Sequence, residues 1–371
     1  MSVPTRVGIV GAGRISAQYS ATLAGSAELE VTAVADLDAA RAQALADRHP
    51  GATVRPSAAL LVADDVDVVL NLTQPVTHAE VTLAAVAAGK HVYSEKPLAA
   101  TTVQARAVAA AAEGAAAAAT AGPRVGCAPD TVLGTGVQTA RAVLAAGVIG
   151  VPFAATAFMT TPGHERWHPD PEFYYRPGGG PLLDMGPYYL TTLVHLLGPV
   201  VRVVGLTSRP AASRTIGSGP RQGQRFDVEV DTHVTGVLQH DGGALSTLMM
   251  SFDTWAARLP RIEVHGSTGS LSVPDPNHFD GEVSVFTATD GTWRVVPPSA
   301  GYVGAGRGIG LVDLARAVAA GEPHRCALDV ALHVLDVMEC LLEAAERGVA
   351  VTVTSTCEMP RPVPGLVDPR D

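Results

Sequence analysis

Apolar positions follow two different periods along this chain, and the change between them divides it. Short apolar runs fall near 6–10, 30–35, 67–72, 90–93 and 123–127, and between them lie segments whose apolar residues recur at helical spacing, near 15–25, 39–48, 77–88 and 102–120. Buried strands alternating with amphipathic helices imply right-handed crossovers and a parallel, doubly wound sheet. An α/β domain is therefore expected over residues 1–125. After one more helix, 132–146, the pattern becomes a succession of strands: 200–207, 227–239, 244–252, 261–264, 270–273 and 282–286. Several are joined by glycine turns such as Asp241-Gly242-Gly243 and Asp290-Gly291. With helices over 310–320 and 328–347, this predicts an α+β domain with a mostly antiparallel sheet over 126–359. The tail from Pro360, carrying Pro362, Pro364 and Pro369, is expected to be extended or disordered.

The first strand runs straight into the most telling turn. Val7-Gly8-Ile9-Val10 leads to Gly11-Ala12-Gly13-Arg14-Ile15-Ser16, two glycines two residues apart ahead of an amphipathic helix. Gly11 permits the tight turn, and Gly13 lets the backbone approach a pyrophosphate at the helix N-terminus, where free N–H groups and the helix dipole favour anions. Ser16 stands at the third position of G-x-G-x-x-G and is small enough for the helix to lie close to the strand. The second strand ends in Asp36, at about the distance where a carboxylate takes the ribose hydroxyls of a dinucleotide. The other role open to Asp36 is to cap the helix that follows. The first domain is thus expected to be a Rossmann domain that binds NAD, with NADP not excluded, through Gly11, Gly13, Arg14, Ile15 and Asp36.

Composition excludes several other classes. At 371 residues the chain is long enough for two or three domains, and 47% hydrophobic against 17% charged residues allows a large core. A net charge of −10 with no basic cluster argues against nucleic acid or an anionic membrane as partner. Cys127, Cys326, Cys340 and Cys357 are scattered, with no C-x-x-C pair, so neither a disulfide framework nor a metal site is indicated and a reducing, cytoplasmic setting is expected. No charged-then-apolar leader opens the sequence. No apolar run reaches the roughly 18 to 20 residues that span a bilayer. The alanine-rich stretch 105–121 is interrupted by Arg106, Glu113 and Gly114 and reads as one surface helix.

Candidate chemistry gathers in three places. Thr73-Gln74-Pro75-Val76-Thr77-His78 and Ser94-Glu95-Lys96-Pro97 follow the carboxyl ends of expected parallel strands, where open α/β sheets bind ligands. Lys96 is either an ammonium reaching into a cleft or a solvated loop lysine. Further on, Gly178-Gly179-Gly180-Pro181-Leu182-Leu183-Asp184-Met185-Gly186-Pro187-Tyr188 places Asp184 and Tyr188 four residues apart, on one face if the segment is helical. A carboxylate and a phenol on one face can hold a substrate hydroxyl and move its proton, although Tyr188 could equally be a packing aromatic. Finally, His164-Glu165-Arg166-Trp167-His168 matches the H-E-x-x-H zinc-protease helix, yet Pro162-Gly163 before it and Pro169 and Pro171 after it leave room for only a turn or two. The better reading has Trp167, His168, Tyr175 and Arg176 lining a substrate pocket, with aromatic faces for a ring and polar tips for hydroxyls.

The glycine turn, Glu95-Lys96-Pro97 and Asp184-x-Gly186-x-Tyr188, in this order and spacing, resemble the Gfo/Idh/MocA family of NAD(P)-dependent oxidoreductases. The resemblance extends to Cys127-Ala128-Pro129-Asp130, Gly266-Ser267-Thr268-Gly269-Ser270 and Arg307-Gly308-Ile309-Gly310, and so covers nearly the whole chain. It implies that Thr73, Pro75, His78, Glu95 and Lys96 border the cofactor, and that Lys96 and the residue at 188 handle the alcohol proton beside the nicotinamide. Histidine is usual at 188 and aspartate at 191, where this chain has Tyr188 and Thr191; the tyrosine variant is similar to sugar ketoreductases. A phenol titrates near 10, and an adjacent ammonium would favour the phenolate. The implied substrate is a small carbohydrate, and the implied assembly a homo-oligomer through the C-terminal sheet.

The expected activity is hydride transfer between a nicotinamide and a secondary hydroxyl or ketone of a sugar, glycoside or cyclitol. The alternatives are a glycosidase or lyase working through a transient keto-sugar, and a ligand-sensing regulator without turnover. Leu37 and Asp38 follow Asp36, so no adjacent arginine offsets a 2′-phosphate against its carboxylate. NAD(H) should therefore bind more tightly than NADP(H) in a fluorescence titration; tighter NADP(H) would overturn this assignment of Asp36.

Overall fold

The structure is a computed structural model that describes residues 3–118 and 122–370. Residues 119 and 120, at the end of the helix expected over 102–120, lie outside the described residues. The chain divides into two compact units, one of Met1–Gln138, Ser299–Leu332 and Pro360–Asp371, the other of Thr139–Pro298 and His333–Met359.

The first unit is built as strand and helix in alternation: β1 (Thr5–Val10), α1 (Ser16–Gly25), β2 (Leu29–Ala35), α2 (Ala39–Ala46), β3 (Thr53–Val54), α3 (Ser57–Leu61), β4 (Val68–Asn71), α4 (His78–Ala87), β5 (His91–Ser94), α5 (Thr102–Ala118) and β6 (Val125–Cys127). Its six strands lie in the order β3-β2-β1-β4-β5-β6, and every ladder is parallel. Strand order reverses between β1 and β4, the switch point beside which open sheets bind ligands. Val7, Ile9, Val69, Leu70 and Val92 are buried, as strands covered on both faces require. The two-residue β3 and five-residue α3 are too short to leave a period in the sequence.

The second unit begins within α6 (Thr135–Ala145) and continues through β7 (Pro152–Thr160), α7 (Pro181–Leu197), β8 (Val200–Ser208), β9 (Ser213–Thr215), β10 (Arg225–Asp227), β11 (His233–His240), β12 (Leu245–Ser251), β13 (Ile262–Gly266), β14 (Gly269–Val273), β15 (Val283–Thr287) and β16 (Trp293–Val296). Of the later elements, β17 (Gly301–Tyr302), α8 (Ile309–Ala320) and β19 (Leu366–Val367) fall in the first unit, β18 (Val351–Thr352) and most of α9 (Leu328–Arg347) in the second. The large sheet runs β16-β15-β14-β13-β7-β12-β11-β8-β18, antiparallel throughout except between β7 and β12. The mostly antiparallel sheet matches expectation, but β7, one of its interior strands, was not foreseen. Its alanines at 154, 155 and 157 give weak apolar contrast, and pairing on both sides is what makes the segment a strand. The single strand expected over 227–239 divides in two, because β10 pairs with β9 in a separate hairpin while β11 joins the large sheet.

Two returning segments complete the first unit. Asp130, fully buried after β6, accepts hydrogen bonds from the N–H groups of Gly308 (2.7 Å) and Gly310 (3.2 Å) at the start of α8. Burial raises the pKa of this carboxylate, and the Arg307 charge together with these two N–H groups opposes that shift. A Cβ on Gly310 would lie 2.1 Å from the Tyr93 hydroxyl oxygen, so only glycine allows α8 to approach β5 this closely. The tail is tied down rather than disordered: Val363 is buried, its N–H donates to Gln138 Oε1 at 2.9 Å, and β19 pairs with β17.

Candidate active site

Gly11 and Gly13 serve the turn between β1 and α1 in different ways. Gly11 has φ +104°, and a Cβ there would lie 2.6 Å from the carbonyl carbon and oxygen of Leu72, so the backbone at the end of β4 excludes any side chain. A Cβ on Gly13 would meet nothing within 4 Å, which leaves an open cradle ahead of α1, a helix whose first turn has no side-chain cap. Ser16 is buried and donates to Gly13 O at 2.7 Å, which is how serine serves at the third glycine position. Asp36 Oδ2 accepts from Ala12 N–H at 2.6 Å, and Oδ1 from Asp38 N–H at 2.8 Å. The cap of α2 is Asp38, which accepts from Ala40 and Arg41 N–H. Asp36 is thereby left at the end of β2, joined to the glycine turn, and the chain fits a dinucleotide there.

The loops after β4 and β5 are tied to each other from beneath. Asn71, fully buried at the end of β4, donates to His78 O at 3.1 Å and accepts from the Thr73 hydroxyl at 2.7 Å. His78 places Nδ1 2.6 Å from Pro97 O and Nε2 3.0 Å from Thr73 O, so one ring spans both loops. Burial pushes its pKa below the ordinary imidazole value. Glu95 is buried as well: Oε1 accepts from the Tyr19 hydroxyl at 2.8 Å, and Oε2 from Lys96 N–H at 2.9 Å. Burial, with Glu95 adding to it, holds the Tyr19 phenol well above its usual pKa, so it serves as a neutral donor.

In the second unit Asp184 and Tyr188 lie on α7, one turn apart, Asp184 part-exposed and Tyr188 buried. Asp184 Oδ2 is 3.0 Å from Nε2 of His164. His164–Arg166 is a single 3₁₀ turn, not the continuous helix an H-E-x-x-H protease needs. Beneath it Glu165 is held by Arg214 Nη1 at 2.9 Å and by the Tyr175 hydroxyl, and Arg214 also pairs with Asp253.

The profile of the oxidoreductase family with an NAD-binding Rossmann fold matches residues 5–122, and that of the GFO/IDH/MocA C-terminal domain matches residues 137–272. A D-glucoside 3-dehydrogenase of Escherichia coli is 31% identical over 272 residues, 68% of this chain and 71% of that protein. The chain belongs to the GFO/IDH/MocA oxidoreductase family. A D-xylose 1-dehydrogenase (NADP⁺) of Haloferax volcanii is 29% identical over 351 residues, covering 93% of this chain and 98% of that protein. Among solved structures, a levoglucosan dehydrogenase in complex with NADH and L-sorbose shares the fold at a TM-score of 0.78 and 22% identity, over 95% of this chain and 99% of that one.

Within this family member, the predicted site residues differ in exposure. Arg14, Pro75, Trp167 and Arg176 are exposed, and Ile15, Asp36, Thr73, Lys96, His168 and Asp184 part-exposed, whereas Tyr188 is buried. Three others are braces. His78 and Tyr175 are fully buried, their polar atoms committed to Thr73, Pro97 and Glu165, and Glu95 is committed to Tyr19 and Lys96 N–H. The expectation that Tyr175 faces a sugar is corrected accordingly: the phenol, pushed far above its usual pKa by burial and Glu165, supports the loop from inside. Sequence reasoning missed Tyr19, Asn71 and Arg214 as supports, and it weighed His164 only as a zinc ligand. Tyr19, Arg214 and His164 find their partners far along the chain, and Asn71, whose partners Thr73 and His78 are nearby, is one polar residue in an apolar run; each leaves a weak signal in one sequence. Gly13→Ala should leave thermal unfolding unchanged while weakening NADH binding about tenfold or more, read by fluorescence titration. Gly11→Ala should instead destabilise the fold by about 1–3 kcal/mol or more.

Proposed function

We propose that this oxidoreductase moves hydride between a nicotinamide cofactor and a secondary hydroxyl or ketone of a sugar, glycoside or cyclitol, and that NAD is its cofactor. The reading rests on an open cradle at Gly13 with Asp36 beside the turn, in a chain whose relatives are dehydrogenases of D-xylose and of D-glucosides. When bound, the nicotinamide supplies the hydride acceptor or donor. Lys96, its backbone held by Glu95, donates a hydrogen bond to the oxygen on the reacting carbon, where a fixed charge in a dry site is worth most. Tyr188 takes up or returns that oxygen's proton, and Asp184 orients the hydroxyl. Trp167, with its exposed indole, offers a face to the sugar ring, and His168 and Arg176 supply polar tips.

The enzyme is proposed to work in the cytoplasm as a homo-oligomer. No described helix is long and apolar enough to cross a membrane. Support for assembly comes from the second sheet, where β12 buries Leu248 and Met250 on one face and turns Leu245 and Met249 to the other. On that outer face Val204 stands opposite Val237, and with Leu206 and Leu245 they are 43% to 65% exposed. An apolar strip of this kind marks an interaction surface. Light scattering at micromolar concentration should give a dimer or larger, and a monomer would refute the assembly.

Screening D-xylose, methyl glucosides, myo-inositol and levoglucosan with NAD⁺ for NADH fluorescence tests the activity itself. With the best substrate, Tyr188→Phe should preserve NADH affinity and lower turnover by roughly 10²- to 10⁴-fold. Lys96→Met should lower it at least as much. Turnover within about threefold of the parent for Tyr188→Phe would make the tyrosine a packing residue.

A further inference from the structure

His164 is not among the residues given a role above, yet its surroundings are unusually well built. Its ring is packed by Trp167, Tyr174 and Phe252, with centroids 5.3, 4.7 and 4.5 Å away. Its backbone N–H donates to the Tyr175 hydroxyl oxygen at 3.2 Å, and that hydroxyl donates to Glu165, itself held by Arg214. The Glu165 carbonyl accepts from Gly217 N–H at 2.7 Å. Ring and backbone are therefore fixed independently.

All of that fixation aims one atom. Nε2 lies 3.0 Å from Asp184 Oδ2, and the two side chains are only 13% and 18% exposed, so water screens the contact weakly. An imidazole nitrogen facing a carboxylate must carry the proton, which makes Nε2–H the donor. Nδ1 is buried with no hydrogen-bond partner among the described residues. A histidine kept only for packing would lose stability from that orphaned nitrogen, and an aromatic hydrocarbon would fill the same space without the loss. Among the described residues, the hydrogen bond its ring makes is to Asp184.

We propose that His164 is the positioning residue of Asp184: its Nε2–H holds Oδ2 and so sets the orientation in which the carboxylate meets the reacting hydroxyl. This rests on the reading that Asp184 orients that hydroxyl. The Nε2–H bond fixes the position of Oδ2, and small misplacements of an orienting group cost turnover steeply. His164 itself transfers no proton to substrate, since its second nitrogen is sealed among aromatic rings.

The test pairs two substitutions of the full chain. His164→Phe keeps the aromatic volume and removes the donor, whereas His164→Gln can bring an amide N–H to the same oxygen. In the first, kcat should fall about 10- to 100-fold while NADH affinity and thermal unfolding stay close to the parent. The second should recover most of that loss, which a purely structural role would not produce. A His164→Phe enzyme within about threefold of parental kcat, or a glutamine variant no better than phenylalanine, overturns the proposal. Asp184→Asn separates the layers: a large loss there with none in His164→Phe defeats only the positioning role, and unchanged turnover in Asp184→Asn defeats the underlying reading and this inference together. Independently of any substrate, ¹⁵N spectra of the histidine rings should show His164 as the Nε2–H tautomer, with its signal displaced by Asp184→Asn. An Nδ1–H tautomer would overturn the pairing.

Discussion

A buried parallel strand ends with peptide groups in a dry interior, and each of those groups must find a partner before the chain can turn away. Three side chains meet that demand along the carboxyl edge of the six-stranded sheet: Asn71 serves the loop after β4, Glu95 the loop after β5, and His78 joins the two loops to each other. A fourth, Asp130 on the segment after β6, holds the N–H groups at the start of α8. The position of Lys96 follows from this. Its N–H is held by Glu95, Glu95 is held by Tyr19 of α1, and α1 is the helix that opens at the glycine cradle. Cofactor turn and lysine loop are thus connected through a single buried carboxylate.

The second unit solves a comparable problem with charge. Arg214, Glu165 and Asp253 are nearly enclosed, with side-chain exposures of 8% to 16%, and burying such ions costs desolvation that their mutual attraction only partly offsets. A pair of this kind contributes little net stability. What it contributes is one conformation for a loop that has only short 3₁₀ turns of its own, and that loop carries His164, Trp167 and His168. On α7, Pro187 lacks the N–H that would bond Leu183 O, yet the helix continues because the residues after it, Tyr188 to Leu196, are buried, and α7 packs on β7, β11 and β12. Packing overrides local propensity here, and Asp184 and Tyr188 keep their spacing.

Much of this was legible in the sequence. Period alone gives the alternation of the first unit and most strands of the second, because burial on one face or two leaves a repeat that local residues carry. The glycine turn was legible because Gly11 and Gly13 answer local requirements of conformation and space, and Asp184 with Tyr188 because four residues make one helical turn. β7 was not, since alanine-rich segments gain strand character only from neighbours on both sides.

Tertiary structure alone decided which polar residues face outward and which brace from within. Asp36 and Asp38 look alike in sequence, and only the fold sends one to the glycine turn and the other to cap α2. His78, Glu95 and Tyr175 read as ligand-facing groups, yet each is drawn inward by a partner: Pro97 and Thr73, Tyr19, and Glu165. His164 meets Asp184 across 20 residues, and Gly308 meets Asp130 across 178. Hydrophobic periodicity is a property of neighbours along the chain and can be read from it. A hydrogen bond between residues this far apart depends on where the sheets bring their ends, and no local pattern records that.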